Sequence, residues 1–160
     1  MNSSDQLNQK YQSYQEWKGW HDLFNPSSQE KILFEKEFRS IDLRGKKFLD
    51  FGFGSGALLA WAKSKGSDVA GIEVQASLIE AAAQLNIPTH ASIKQVNDDA
   101  FDVISFFDVL EHLTKSEIQD LLQEVYRIAK VGCTIMIRVP NCQSPAGLAN
   151  QFADPTHISM

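Results

Sequence analysis

The segment FLDFGFGSGALLAWAKSKGSDVAGIEV, residues 48–74, constrains the fold of this chain more than any other. Its apolar start predicts a buried strand, and the glycines at 52–56 let the backbone turn tightly and approach a ligand without an intervening Cβ. A helix and a second strand follow, and that strand ends at Glu73, roughly 20 residues after the turn. A carboxylate there can accept hydrogen bonds from ribose hydroxyls. The segment therefore predicts a nucleotide-cofactor site.

Two classes of cofactor use this arrangement, and Asp50 discriminates between them. Gly52, Gly54 and Ala57 satisfy the spacing of dinucleotide-binding turns, whose third position can be alanine. However, an acid just before the first glycine would place negative charge beside a pyrophosphate. The same acid suits a ligand that carries an ammonium group, and S-adenosylmethionine has an ammonium group and no phosphate. The pairing of Asp50 with Glu73 therefore favours S-adenosylmethionine over NAD, and over a turn that binds nothing.

At this point the chain resembles the class I S-adenosylmethionine-dependent methyltransferases, and the resemblance extends beyond the glycine turn. Further segments match in order, namely YQEWKGW at 14–20, FDVISFFDVLEHL at 101–113, GCTIMIRVPN at 132–141 and DPTH at 154–157. The set is similar to methyltransferases associated with the modification of surface polysaccharides or small metabolites. The resemblance implies a small-molecule acceptor, with a hydroxyl of a sugar or related metabolite as the acceptor group.

The composition agrees with one ordinary enzyme domain. The chain has 160 residues, of which 43% are hydrophobic, enough for one core and not for two. A net charge of −5 and scattered basic residues argue against nucleic acid as a partner. No apolar run approaches the roughly 18 residues of a membrane span, so we expect a cytoplasmic protein without such a span. Cys133 and Cys142 are predicted to stay reduced.

Apolar runs and amphipathic stretches alternate along the chain, which predicts an α/β fold with a parallel sheet. The resemblance makes this a Rossmann-like, doubly wound sheet with helices on both faces. We expect a helical lead-in over residues 1–45 and a cofactor-binding domain over 46–160. The predicted strands are 47–51, 69–73, 89–93, 102–106 and 133–139, and the predicted helices between them are 56–65, 76–86 and 116–130.

The family resemblance assigns the cofactor contacts. Asp50 and the turn at 52–56 would hold the methionine end, Glu73 the ribose, and Val74 and Gln75 the adenine edge. The full predicted set is Asp50, Phe51, Gly52, Phe53, Gly54, Ser55, Gly56, Glu73, Val74, Gln75, Phe107 and Asp108. Many relatives also carry an acid just after the third strand, where this chain has ASI at 91–93. Either backbone groups of that loop contact the base, or the affinity for the cofactor is lower.

Two histidines are candidates for acceptor chemistry. His112 is predicted to be a general base beside the transferred methyl group, because an imidazole is partly neutral near physiological pH. Its alternative role is to cap the next helix or to bond the backbone. His157, together with Asp154, is predicted to line the acceptor side, and a capping role near Pro155 is the alternative.

The spacing of Asp108, Glu111 and His112 is similar to a metal site in some ubiquinone-pathway O-methyltransferases. These side chains could hold Mg²⁺ or Zn²⁺. The same loop is common in relatives without a known metal, so we expect no metal in this protein.

Four aromatic residues recur at intervals of three near the N-terminus, at Tyr11, Tyr14, Trp17 and Trp20. They are predicted either to form a lid over the cofactor or to pack against the sheet.

The end of the chain gives a further expectation. Relatives continue past DPTH with a helix and an antiparallel pair of strands, whereas this sequence stops at Met160. We therefore expect a sheet of about five strands, truncated at its C-terminal side, with the fifth strand at an edge that invites homodimer formation. A non-catalytic module that binds the cofactor or a partner is the second functional hypothesis, and a nicotinamide-dependent oxidoreductase is the third.

Overall fold

The structure, a computed structural model, describes residues 18–141, 143–154 and 156–158. Tyr11, Tyr14 and Trp17 of the predicted lid lie outside these residues. The helices are α1 (Ser28–Glu37), α2 (Ala57–Ser64), α3 (Ala76–Gln84), α4 (Lys115–Ile128) and α5 (Pro145–Ala153). The strands are β1 (Lys47–Phe51), β2 (Asp68–Ile72), β3 (Thr89–His90), β4 (Phe101–Phe107) and β5 (Ala129–Arg138). Short 3₁₀ turns lie at Ile93–Gln95 and Leu110–His112.

The strands of the described chain form one parallel sheet in the order β3-β2-β1-β4-β5. Strand β1 is central, and its Phe48 pairs with Val69 of β2 on one side and with Val103 of β4 on the other. The strand order reverses between β1 and β4, because the chain returns from β3 to the opposite side of β1. This confirms the predicted Rossmann-like sheet and places a crevice at the carboxyl ends of the two strands.

Alternate residues of β1 point into two separate hydrophobic cores. Phe48 is fully buried in the core that contains Phe34 of α1, Trp61 of α2 and Leu78 of α3. Leu49 is fully buried on the other face, in a core formed with Leu121, Val125 and Ile128 of α4. Both faces of the sheet are therefore covered by helices, which explains why the neighbouring residues Phe48 and Leu49 are both apolar.

Capping boxes fix the starts of α1 and α4. In α1, the backbone amide of Glu30 donates to the Ser27 hydroxyl, and the Ser27 amide donates to the Glu30 carboxylate. Thr114 and Glu117 make the same reciprocal pair at the start of α4. Each box satisfies two backbone amides that have no partner inside the helix.

Three local predictions differ from the structure. Strand β3 ends at His90, because Ser92 caps a 3₁₀ turn where the strand was expected to continue. Strand β5 starts four residues before its predicted start, directly after α4. Helix α5 was not predicted, although Ser144 followed by Pro145 is a typical helix start.

Strand β5 pairs only with β4 within the described residues, as expected of an edge strand. Val131, Ile135 and Ile137 on this strand are exposed. Over the same residues, no helix has the length and apolar character needed to cross a membrane.

Candidate functional site

A cavity of about 610 Å³ opens at the carboxyl ends of β1, β2 and β4. In parallel sheets this edge, at the reversal of strand order, is where ligands bind. The cavity is lined by His112 and by every predicted cofactor residue except Gly56. Lining residues that the sequence analysis did not single out include Lys18, Glu30, Phe34, Val109 and Arg138.

The glycine turn after β1 lines part of the cavity, and two aromatic residues pack against this turn. Gly54 and Gly56 have φ angles of +49° and +74°, which favour glycine. A Cβ on Gly54 would lie 2.7 Å from the Trp20 ring, and a Cβ on Gly56 would lie 2.2 Å from the Phe24 ring. Gly56 is therefore required by the packing of Phe24, whereas Gly54 lies beneath Trp20, which itself lines the cavity.

Glu73 joins the glycine turn to the start of α3. The side chain is 7% exposed, and Oε2 accepts a hydrogen bond of 3.2 Å from the backbone amide of Gly54. Its Oε1 accepts from the amides of Val74 at 2.7 Å and Gln75 at 3.1 Å. These three bonds hold the carboxylate in one orientation at the cavity wall.

Asp50, like Glu73, is a buried acid that lines the cavity, and it is 4% exposed. Burial raises its pKa to about 7, and the hydrogen bond from Ser105 and the positive charge of Arg138 only partly offset this effect. The Ser105 hydroxyl donates to Oδ1 of Asp50 at 2.7 Å. A cationic group bound beside Asp50 would favour its ionised form.

Arg138, at the end of β5, links several elements at the cavity wall. Its Nη2 lies 2.6 Å from Oδ2 of Asp108, and its guanidinium lies 4.4 Å from the centre of the Phe107 ring. Its Nη1 lies 3.5 Å from Oε1 of Glu37 on α1. Asp108 is thus paired with Arg138 and does not join Glu111 and His112 in the cluster suggested by the sequence spacing.

His112 is oriented by a chain of hydrogen bonds from the DPTH segment. The Thr156 hydroxyl donates to Oδ1 of Asp154, so its single proton is already used. Nδ1 of His112 lies 2.9 Å from the same hydroxyl and must therefore donate to it. In the neutral imidazole this leaves Nε2 unprotonated, with its lone pair free.

Two pKa shifts agree with this direction of hydrogen bonding. Burial lowers the pKa of His112, which favours the neutral ring. Burial opposes ionisation of Asp154, but bonds from the Thr156 hydroxyl and amide, together with the Lys18 ammonium 3.1 Å away, hold its pKa well below the usual range. An ionised Asp154 can only accept, which fixes the direction of the chain.

Glu111 and His157 lie beside His112. Glu111 is 2% exposed, and burial raises its pKa to about 7. The His157 side chain is also buried, with Nε2 lying 3.9 Å from Oε1 of Glu111 and 3.7 Å from Oδ2 of Asp154. The rings of His112 and His157 are 4.8 Å apart. His157 is not among the residues that line the cavity, and its ring lies against that of His112.

The glycine turn, the buried Asp50 and the strand-end Glu73 thus meet at one cavity of a parallel α/β fold. Residues 12–160 match the sequence model of a family described as "Methyltransferase domain", and the chain belongs to this family. This agrees with the resemblance found in the sequence and disfavours the nicotinamide interpretation. A search of curated proteins found no match.

Solved structures with the same fold agree with this membership. A SAM-dependent methyltransferase from Archaeoglobus fulgidus is 25% identical, with a TM-score of 0.69 over 81% of this chain and 62% of its own. The YcgJ protein from Bacillus subtilis is 17% identical, with a TM-score of 0.64 over 79% of this chain and 60% of its own. A DhpI–SAM–HEP complex is 16% identical, with a TM-score of 0.65 over 94% of this chain and 70% of its own. This chain thus spans 62% and 60% of the first two proteins.

Arg138 is the main cavity residue that sequence reasoning missed. The signal was available, because a strand was predicted over 133–139 and the end of a parallel strand beside β4 must lie at the same edge as Asp108. The contacts of Arg138 with Asp108 and Glu37, however, depend on the packing of α1 against the sheet.

Proposed function

We propose that this protein transfers the methyl group of S-adenosylmethionine to a small-molecule acceptor, at a hydroxyl oxygen of a sugar or a related metabolite. The observation that carries the proposal is the convergence of Asp50, Glu73 and the glycine turn on one cavity at the reversal of strand order. Membership of the methyltransferase-domain family supports the chemistry. The Archaeoglobus fulgidus protein and the DhpI–SAM–HEP complex support the choice of cofactor.

In this proposal the cofactor contacts follow the order of the strands. Asp50 and the glycine turn after β1 bind the methionine end, where the carboxylate of Asp50 attracts the ammonium group. Glu73 after β2 binds the ribose, and Val74 and Gln75 border the adenine. The loop at 91–93 lines the same cavity, which supports contacts from that loop to the base.

The hydrogen bonds of Glu73 support its role toward the ribose. A carboxylate offers about four acceptor positions, and three are used by the amides of Gly54, Val74 and Gln75. One position remains for a ribose hydroxyl. Because the backbone already fixes the carboxylate, ligand binding would not have to order this side chain, which favours affinity.

Most of the rate would come from positioning, because the sulfonium of the bound cofactor supplies an already activated methyl group. The S–C bond breaks as the new O–C bond forms, and the acceptor hydroxyl loses its proton. We propose that Nε2 of His112 receives this proton, since its lone pair is free and His112 lines the cavity. His157 would act through its neighbours, by holding the His112 ring in place.

Calorimetric titration with S-adenosylhomocysteine tests the proposal without requiring the acceptor. We expect saturable binding that Glu73→Ala weakens by roughly 10- to 100-fold, in line with the loss of hydrogen bonds to a charged group. Glu80→Ala is the matched control, because Glu80 is an exposed acid on α3. Circular dichroism of each variant shows whether it is folded.

Two results would contradict the proposal. The first is absence of binding to a folded chain, and the second is equal binding by the wild type and Glu73→Ala. Once binding is established, formation of S-adenosylhomocysteine from S-adenosylmethionine is measured with hydroxylated sugars and related metabolites. Binding without turnover on any acceptor would favour a non-catalytic module.

We further propose that the exposed edge of β5 joins two copies of the chain and that nucleic acid is not the acceptor. The exposed apolar residues Val131, Ile135 and Ile137 support the first statement, and the net charge of −5 supports the second. Light scattering across a dilution series tests association, and the absence of a concentration-dependent dimer would contradict it.

A further inference from the structure

Three side chains with metal-binding groups converge at the edge of the cofactor cavity. Glu111, His112 and His157 each present one ligand atom, and these atoms lie within 4.8 Å of one another. We propose that they bind a divalent transition-metal ion of the Zn²⁺ type. This set differs from the one suggested by sequence spacing, because Asp108 pairs with Arg138 and His157, from the other end of the domain, takes its place.

The unsatisfied carboxylate of Glu111 is the strongest argument for an ion. Both carboxylate oxygens are buried and accept no hydrogen bond from another described residue. Buried carboxylates are otherwise hydrogen-bonded, paired or metal-bound. Nε2 of His157 lies 3.9 Å from Oε1 of Glu111, too far for a hydrogen bond. Direct pairing therefore leaves the carboxylate unsatisfied.

The spacing of the ligand atoms suits a small ion. In tetrahedral zinc sites, ligand atoms lie about 2.0–2.2 Å from the metal and therefore roughly 3.3–3.5 Å from one another. Oε1 of Glu111 and Nε2 of His157 are close to this separation, and the three ligand atoms all lie within 4.8 Å of one another. Two imidazoles and one carboxylate form a donor set that zinc accepts in open, three-ligand sites. Mg²⁺, in contrast, prefers oxygen ligands alone.

The surrounding hydrogen bonds prepare His112 for this role. Thr156 accepts from Nδ1 of His112, which leaves the lone pair of Nε2 available to an ion. Thr156 is therefore an outer partner of His112, and metal-binding histidines commonly donate their other ring N–H to such a partner, which fixes the ring orientation. Asp154 lies 3.7 Å from Nε2 of His157 and adds negative charge beside the cluster.

His112 lines the cavity, so a metal held there would border the space proposed for the acceptor. A metal held by three side chains keeps an open coordination position. The acceptor hydroxyl could bind there, and the metal would then lower the pKa of that hydroxyl. In the metal-loaded protein, Nε2 of His112 would be a ligand, and the proton of the metal-bound hydroxyl would pass to solvent water instead of to His112. Metal binding can be measured without cofactor or acceptor, so its outcome is independent of the proposed methyl transfer.

The experiment is calorimetric titration of the tag-free, chelator-treated chain with Zn²⁺, together with thermal unfolding at each metal concentration. We expect one site per chain and a melting temperature that rises by several degrees at about 100 times Kd. Glu111→Gln and His157→Gln should weaken Zn²⁺ binding by more than about 100-fold, beyond the effect of losing an outer-shell partner. Mg²⁺ at the same concentrations should neither bind detectably nor change the melting temperature.

Two variants serve as matched controls. His21→Gln removes an exposed histidine far from the cluster in sequence, and Asp108→Asn removes the acid of the spacing-based site. Both should bind Zn²⁺ as the wild type does. Since Glu111→Gln removes a buried unsatisfied charge, we expect it to fold, and circular dichroism verifies this.

Three results would overturn the inference. One is the absence of saturable Zn²⁺ binding to the folded chain. The second is wild-type binding by Glu111→Gln and His157→Gln with loss of binding in His21→Gln, which would mean surface coordination. The third is loss of binding in Asp108→Asn with retention in His157→Gln, which would assign the metal to the other set of residues.

Discussion

The hydroxyl of Thr156 lies 2.9 Å from Nδ1 of His112, although 44 residues separate them along the chain. Because the same hydroxyl donates to Asp154, the contact fixes which nitrogen of His112 carries the proton. A segment next to α5 thereby selects the tautomer of a side chain in the cavity. This relationship gives the DPTH segment a physical role in the chemistry proposed for the cavity.

Replacing Thr156 by valine should reduce methyl transfer more than cofactor binding. Without the hydroxyl, Nδ1 of His112 loses its acceptor and the ring can adopt the other tautomer, which has no free lone pair on Nε2. We expect kcat to fall by about 10-fold or more, up to the roughly 10²- to 10⁴-fold that a general base contributes. Nitrogen-15 NMR of the histidine ring reports the tautomer directly.

Thr156→Ser is the matched control for this change, since it keeps the hydroxyl and removes only a methyl group. It should retain both the tautomer and most of the rate. An unchanged tautomer and kcat in Thr156→Val would show that the hydroxyl does not position His112.

Cofactor affinity should rise with pH as Asp50 ionises. Its pKa of about 7 is well above that of an ordinary aspartate because of burial, so the carboxylate must lose a proton before it can attract the ammonium group. Affinity for S-adenosylhomocysteine should therefore fall by up to about tenfold per pH unit below pH 7 and level off above it. Calorimetry between pH 5.5 and about 8.5 measures the profile.

Two substitutions test the assignment of this pH dependence to Asp50. Asp50→Asn should bind more weakly at high pH and show a flatter profile. Ser105→Ala removes a hydrogen bond that lowers the pKa of Asp50, so the midpoint should move to higher pH. An identical profile in all three proteins would assign the titration to another group.

Gly54 and Trp20 should be energetically coupled in cofactor binding. A Cβ at position 54 would lie 2.7 Å from the Trp20 ring, so Gly54→Ala should displace the ring or the turn and weaken binding. In a Trp20→Ala background the same change has more room and should cost less. The double-mutant cycle should give a coupling of about 0.5–3 kcal/mol, as for residues in contact. Additive effects on the affinity would mean that Trp20 does not contact the turn in solution.

Replacing Gly56 should lower the folding stability rather than the affinity for the cofactor. Gly56→Ala introduces a Cβ 2.2 Å from the Phe24 ring at a φ of +74°, so both backbone strain and overpacking act. We expect a loss of about 2–4 kcal/mol in the free energy of unfolding, measured by chemical denaturation. Gly45→Ala is the control, because its φ of +68° is similar and its Cβ would meet nothing within 4 Å. It should lose about 1–2 kcal/mol from strain alone, and an equal loss in the two variants would exclude the Phe24 contact.

Local sequence patterns predicted an element correctly where the residues of that element alone determine its conformation. Phe48, Leu49 and Phe51 predicted β1 correctly because apolar residues on both faces suit a strand covered by helices. Strand β3 was predicted too long, because the pattern of ASI at 91–93 does not show that Ser92 caps a turn. The Ser144–Pro145 start of α5 was visible in the sequence, but the helix was missed without a clear apolar periodicity to support it.

In the candidate site too, the sequence predicted some residues correctly as neighbours and missed others. Asp50, the glycine turn and Glu73 were predicted to share one edge because each lies at or just after the carboxyl end of a predicted parallel strand, and such ends must meet. The partner of Asp108 was not found, since Arg138 comes from another strand. Sequence spacing grouped Asp108 with Glu111 and His112, whereas the structure groups His157 with them instead.

The sequence by itself determined the parallel α/β fold and the cavity edge, because strand periodicity, glycine conformation and the acids at strand ends are local properties. Only the tertiary structure decided which side chains complete the cavity. It set Arg138 against Asp108, laid Trp20 over Gly54 and brought Thr156 to His112. These contacts join residues distant in sequence, and their partners are selected by the packing of the elements that carry them, which no short-range pattern encodes.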